Sequence, residues 1–544
     1  MKASTGSRKF ARTAMLCVAG WCAFPATSHA AERYDVVVYG GVPCGIAASI
    51  AAKREGAKVL LIEPTRHVGG LNTSGINTAE SEHMLKWTFG GISLEFYENM
   101  GRHYGKQEPA FYFESSVAEK TFLSMLGKEE IPIRYGSRVS TVEKEGTDIR
   151  RITLENGSTF SAKVFIDASY EGDLMARSGV GHASGRESRE QYGEEAAGIR
   201  FDKTTRKAAT VDENGKLLPG IDGWVKDFTE GAADPMVMNY NWRLCFTDDP
   251  AFRRPLPAPA NYDRARYRLL ENWIHERMAS RGKVALNELV ALLGGRPDPK
   301  KWEVNNRQSA VISTGHFGGQ KGYPDADYAG RDRIVADHTD YTLGFFHFLA
   351  TDASVPESLR AETSRWGLHK DEFADNGNWP YQLYVREARR MKGAYVVTQK
   401  DVQEDRRKED AIAIGSHFID SHHVRRLAVS PTEFLNEGRI WRRGHAYQIP
   451  YRAITPKSGE CTNLLVPGAA SFSHVAYCTY RVESTWMMGG HAAGTAAAMA
   501  AAGGMPVQSV PIPTLQEKLR NQNQVIDFKP GAPELHPKEI STEF

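Results

Sequence analysis

Residues 34–63, YDVVVYGGVPCGIAASIAAKREGAKVLLIE, constrain the fold more than any other part of the chain. Asp35 to Tyr39 is a β-branched run suited to a buried parallel strand, and Lys58 to Ile62 is a second one. Between them Gly40, Gly41 and Gly45 mark a turn, Ile46 to Lys53 is alanine-rich and helix-forming, and Gly56 suits a helix end. Such a βαβ unit aims backbone N–H groups and a helix N-terminus at a pyrophosphate. Glu63 ends the second strand at about the 20-residue spacing expected of a ribose-binding carboxylate. The turn itself reads Gly40-Gly41-Val42-Pro43-Cys44-Gly45, so Val42 stands at the second glycine position of G-x-G-x-x-G. That substitution shifts or loosens the approach of backbone to phosphate. An ordinary βαβ unit with a glycine turn is the bland alternative.

With 544 residues and 41% hydrophobic content the chain can bury substantial cores, and two or three domains are expected. A net charge of +2 argues against nucleic acid or an anionic membrane as the main partner. Residues 1–30 read as an export signal: Lys2, Arg8, Lys9 and Arg12 make a basic start, Ala14 to Ala26 is mostly apolar, and Ser28-His29-Ala30 offers a cleavage site. The apolar run is short for a membrane span. Ser7-Arg8-Lys9-Phe10 resembles a twin-arginine signal with Lys for the second Arg. A periplasmic or secreted protein is therefore expected, with no span in the mature chain. Cys44, Cys245, Cys461 and Cys478 remain after cleavage, without any C-x-x-C, so no zinc knuckle or redox dithiol is supported. Export permits a Cys461–Cys478 disulfide, with buried free thiols as the alternative.

Beyond the first unit, 34–199 continues with helices and a small antiparallel sheet before a return strand, Val164 to Asp167. Residues 200–446 differ in texture, with Pro-rich loops and long amphipathic segments such as Tyr262 to Arg281 and Tyr381 to Tyr395. They read as an inserted, mainly helical segment. The chain returns in 447–504 through a buried strand, Asn463 to Gly468, and a small-residue helix, Glu483 to Ala502. Residues 505–544 are a short helix and tail.

Several runs together carry a family look: VVYGGVPCGIAASIAA at 37–52, HVGGLNTSG at 67–75, FIDASYEGDLMARSGV at 165–180 and GRESREQYGEEAAG at 185–198. YVREARRMKGAYVVTQKDV at 384–402, IDSHHV at 419–424, 447–477 and RVESTWMMGGHAAGTAAA at 481–498 continue it. The set resembles the FAD-dependent oxidoreductases common among secreted bacterial proteins, some of which carry a xanthan lyase label. The resemblance implies an α/β chain, a Rossmann-like FAD-binding domain with an inserted mixed, mainly helical substrate or cap domain. It adds Gly69 and Gly70 after Glu63, Asp167 and Ala168 at the return strand, and Gly489 and Gly490 in the buried helix as cofactor-binding candidates.

A flavin carries electrons itself, so the protein must orient the substrate and supply an acid or base. Removing hydride from a carbon beside O–H needs a proton acceptor, usually histidine. His422, His423 and His474 are the candidates, with His422 and His474 foremost and Asp420 placed to orient His422. Arg386, Arg389 and Arg390 read as helical, with Arg386 offering a clamp for a substrate carboxylate or a reduced flavin. Satisfied core histidines and ordinary salt bridges are the plain readings beside these. Arg481 and Glu483 read as a structural pair, and His67 as a remote option for covalent flavin attachment. The expected activity is dehydrogenation of a small polar molecule, a sugar or sugar acid, with a quinone, small carrier or O₂ taking the electrons. A flavin-dependent C=C reductase and a non-redox glycan-binding protein on a flavin fold are the alternatives.

Overall fold

The computed structural model describes Met1 and residues 32–537, so the expected export signal lies, but for Met1, outside the described residues. The opening βαβ unit is β1 (Glu32–Tyr39), α1 (Pro43–Arg54) and β2 (Val59–Glu63). β1 and β2 pair in parallel, Val36 with Val59 through Tyr39 with Ile62. β3 (Ile133–Tyr135) adds to β2 in parallel. On the other side, β4 (Val139–Glu145) and β5 (Asp148–Leu154) form a hairpin leading into β6 (Thr159–Asp167), which runs parallel to β1. The final strand, β7 (Leu464–Leu465), pairs in parallel with the end of β6. The parallel order is thus β3-β2-β1-β6-β7, with the hairpin attached only to the start of β6.

Strand alternation separates the two faces. Val36, Val38, Leu61 and Ile166 pack into the core shared with α1, while Val37, Leu60, Ile62 and Phe165 join a second cluster with Ile149 and Leu174. The long buried helix, here α4 (Glu483–Gly503), lies against α1. A Cβ on Gly490 would run into the Cys44 carbonyl, and one on Gly494 into that of Ala48. The small-residue run therefore serves a close helix–helix crossing. Among the described residues no helix is long and apolar enough to cross a membrane.

Residues 200–446 are mixed, as expected, but their centre is a sheet rather than helices. Its five antiparallel strands run in the order Arg253–Arg254, Gly367–His369, Leu244–Thr247, Trp302–Asn306, Val290–Gly294. They share a second large core with the helices Arg268–Arg281 and α2 (Tyr328–Thr351), built on Leu244, Phe246, Tyr267, Leu270 and Phe345. The helix expected over Tyr381 to Tyr395 does not form; that stretch is irregular apart from a bridge of Tyr384 to Asn241 and Arg390–Met391, which pairs with His182–Ala183. Its charged side chains are drawn to partners on several elements, and that overrides local helix propensity. Cys44, Cys245, Cys461 and Cys478 are all buried free thiols, so the Cys461–Cys478 bridge is not made.

Candidate active site

The first part of the site is built where β1, β2 and β6 end. Gly40 has φ 103°, and a Cβ there would lie 2.8 Å from the Ser169 nitrogen. A Cβ on Gly45 would collide with the Gly40 carbonyl, so both positions require glycine. α1 starts at Pro43 after Val42, which supplies no side-chain cap. Its first amides therefore remain open to an anion. Gly69, with φ 97°, donates its N–H to the Gly41 carbonyl at 2.7 Å, and Gly70 beside it abuts Val42 and the Tyr170 hydroxyl. Glu63 accepts from the Gly41 and Thr65 amides at 2.7 Å each, and burial pushes its carboxyl up to about 7. A cavity of about 250 Å³ opens over these groups, lined by Tyr39, Gly40, Val42, Glu63, Ser169 and Tyr170.

The remaining candidates stand behind this lining. Asp167 accepts from Ser169 N (3.0 Å), Ser169 Oγ (2.6 Å) and Met175 N (2.7 Å), and burial pushes it up to about 6. It shapes the turn that follows β6. Ala168 donates to the Tyr39 carbonyl at 2.8 Å. Cys44 and Gly490 meet in the α1–α4 crossing, and Gly489 lies beside the Tyr480 hydroxyl. These contacts make them packing residues behind the cavity wall.

Beyond the turn, polar groups are buried without protein partners: both amide atoms of Asn72, the Ser74 hydroxyl and Glu483 Oε2. Such groups call for a polar ligand or water. Together with the glycine cradle, the open helix start and the Glu63 carboxyl, they fit the dinucleotide and ring of FAD. Glu483 opens α4, accepts from the Tyr170 hydroxyl, and is pushed up to about 8 by burial.

A second, charged interior lies under the Tyr381–Tyr395 segment. Arg386 is 0% exposed and has no carboxylate partner among the described residues. Its guanidinium donates to the Asn239 carbonyl, Asn241 Oδ1 (2.6 Å) and Asn306 Oδ1 (3.0 Å), while Nε is unpaired. Burial, with Arg481 and Arg243 adding to it, pushes the guanidinium down to about 9. The three arginines surround the Tyr384 ring at 4.4 Å for Arg386, 5.7 Å for Arg243 and 6.0 Å for Arg481. Tyr384 donates to Glu80 at 2.9 Å and accepts from Arg481 at 2.8 Å. Arg243 pairs with Glu303.

His422 belongs to this interior. One ring nitrogen meets the Gln308 amide and the other lies 3.7 Å from Asp420. Burial first, then Arg386, holds its pKa well below the ordinary imidazole value, so it is neutral near pH 7. Asp420 also lies 3.5 Å from Arg481, so its carboxylate is shared between that guanidinium and the His422 ring.

His474 differs from expectation. It opens α3 (His474–Tyr480), and its Nδ1 lies 2.9 Å from Glu387. Burial opposes its charge, but Glu387 and Cys478 together raise the imidazole to about 10. It is thus protonated at neutral pH and cannot accept a proton there. Arg390 bridges Glu187 (2.6 Å) and Glu387, and Arg389 pairs with Asp173 at 2.9 Å. Both are committed ion pairs, unlike Arg386. His423 faces Asp202 at 3.0 Å. His67 stacks on Tyr381 at 3.4 Å between Glu119 (2.9 Å) and Asp375 (3.2 Å), with both ring nitrogens engaged.

Arg243, Tyr384 and the amides of Asn239, Asn241 and Asn306 were not singled out by the sequence. The run Asn239-Tyr240-Asn241-Trp242-Arg243 held a usable signal, since polar and aromatic residues alternate there; the structure buries all five.

A family model described as FAD dependent oxidoreductase matches residues 35–519. The digeranylgeranylglycerophospholipid reductase of Methanococcus vannielii is 24% identical over 216 residues, 37% of this chain and 53% of that protein. The chain thus spans about half the length of that relative. Among solved structures, the flavin-containing monooxygenase of Stenotrophomonas maltophilia is 20% identical with a TM-score of 0.19, covering 25% of this chain and 38% of that one. Thioredoxin reductase of T. acidophilum is 21% identical with a TM-score of 0.17, covering 25% and 35%. Overlaps this partial carry no conclusion; the family match, which runs through both parts of the site, does. The chain belongs to the FAD dependent oxidoreductase family, with FAD as its cofactor.

Proposed function

We propose that the protein dehydrogenates a small polar organic molecule, a sugar or sugar acid, in the interior formed by His422, Arg386 and Tyr384. Bound FAD supplies the acceptor for the hydride. The observation that carries the reading is a neutral, buried His422 beside an arginine that has no carboxylate partner among the described residues. His422 takes the substrate's hydroxyl proton, and Asp420 steadies the imidazolium that results. Arg386 and the amides that hold it orient the polar substrate, while burial excludes water. The sequence-level export signal belongs to this reading. It leaves soluble NAD(P)H out of reach and favours a quinone, a small carrier or O₂ as the final acceptor.

The test is anaerobic mixing of the flavin-loaded protein with sugars, sugar acids and polyols. Bleaching of the flavin by one of them is the expected result. His422→Asn, with flavin content retained, should slow that bleaching by about 10²–10⁴-fold. Binding without any spectral change would move the assignment to the non-redox glycan-binding reading. A second reading, reduction of a C=C bond, draws on Glu483, whose carboxyl stays protonated at neutral pH and so has a proton to give. In that case reduced enzyme would be reoxidised by an enoyl substrate, and Glu483→Gln would stop it.

A further inference from the structure

We propose that the substrate is a carboxylate, an acidic sugar, and that it enters through a basic cleft formed by residues 195–203 and 439–443. The inference rests on the dehydrogenase reading above and names the substrate class of that site. Two separate places in the molecule lead to it.

The outer one is the cleft itself, with a volume of about 490 Å³. Arg200, Lys203, Arg439, Arg442 and Arg443 line it, with Trp441 among them. Its two carboxylates are already used. Glu195 holds Arg442 through two bonds, at 2.9 and 3.0 Å, and Asp202 faces His423 (3.0 Å) and Arg206 (3.2 Å). The Arg200 guanidinium donates to the Glu195 carbonyl at 3.2 Å, and its Nε is buried without a partner among the described residues. Burial, then repulsion from Arg442 and Arg189, lowers the Arg200 pKa. Arg443 donates to the His536 carbonyl, and among the described residues no carboxylate pairs with it. A concave wall with an excess of positive charge concentrates anions, and Trp441 adds an apolar ring face beside the cations.

The inner place is Arg386. Several kcal/mol is the usual penalty for burying a lone guanidinium. Arg243 and Arg481 nearby raise that cost, and among the described residues no carboxylate forms an ion pair with Arg386, Glu80 acting on it only at longer range. A substrate carboxylate would.

Arg439 joins the two. It lines the cleft, its guanidinium lies 5.0 Å from the Trp441 ring centre, and it stands 4.0 Å from Asp420, the neighbour of His422. One layer of charged side chains therefore separates the cleft from the proposed base.

The experiment is calorimetric binding to the flavin-loaded mature protein, in parallel with anaerobic flavin bleaching. The probes are D-galacturonate, D-galactose, D-galactose 1-phosphate and short oligogalacturonates. Galacturonate should bind and bleach, galactose should do neither, and added salt should weaken binding. The double variant Arg200→Ala/Lys203→Ala should weaken galacturonate binding about tenfold or more, from loss of charge-assisted bonds, with unchanged flavin content. Tighter binding of the oligomers would identify the polymer as the source of the acid. Equal bleaching by galactose would overturn the carboxylate inference and leave the dehydrogenase reading standing. Equal binding of the 1-phosphate would overturn the carboxylate class, and an unaffected double variant would overturn the cleft as the entry. Failure of galacturonate to bind would overturn the inference outright; absence of bleaching by every probe would count against the dehydrogenase reading as well.

Discussion

At the scale of single residues, the decisive contrast is between two buried histidines with opposite neighbours. Burial and then Arg386 keep His422 neutral in spite of Asp420, whereas His474 faces Glu387 and stays charged. The rate of flavin bleaching by substrate should therefore be flat near pH 7. It should fall only on the acid side, below the ordinary imidazole range, as His422 takes up a proton. For His474 the sign is the reverse. Its folded pKa, about 10, exceeds the ordinary 6.5. The stability it contributes is complete below about pH 6.5 and is lost as pH rises towards 10. Urea unfolding at pH 7 and pH 10 should show this loss, on the order of a few kcal/mol, and Glu387→Gln should flatten that part of the profile. Arg386→Met should keep its flavin yet lose about 1.5–3 kcal/mol of substrate binding, which calorimetry with the working substrate would read. A variant that binds as tightly as the parent would remove Arg386 from the site.

At the scale of elements, the α1–α4 crossing carries the cofactor end. The Val42–Gly45 turn is held between β6 and α4, because Gly45 packs on Gly40 and Gly490 packs on the Cys44 carbonyl. Gly490→Val forces these helices apart. It should destabilise the fold by about 1–3 kcal/mol and release flavin, seen as lower yellow colour per protein after gel filtration. The same substitution at Gly146, a φ +60° turn glycine with open space around it, should leave flavin content intact. Not every element followed its local pattern. Tyr381 to Tyr395 has helical spacing, yet Arg386, Arg389 and Arg390 each answer to different parts of the protein, at Asn239, Asp173 and Glu187. Three distant partners cannot all be met from one helix face.

At the scale of the whole molecule, two cores meet around the charged interior. One is the parallel sheet with α1 and α4, the other the antiparallel sheet with α2. FAD contacts from the first core should stabilise the native state by mass action. Free FAD at 100 times its Kd should add about 2.7 kcal/mol, visible as a rise in Tm of the flavin-stripped protein, and Glu63→Ala should shrink that rise. The sequence alone determined the nucleotide unit, because strand, glycine turn, helix and terminal carboxylate are local and lie within 34–63. It also named Arg386 and His422. Only the tertiary structure set the partners and charge of the named groups. A buried group's protonation and partners are set by charges brought from far along the chain, such as Glu387 beside His474 and Arg243 and Arg481 beside Arg386. Spacing along a chain does not encode those distances, and in a low-dielectric interior those distances set the charge.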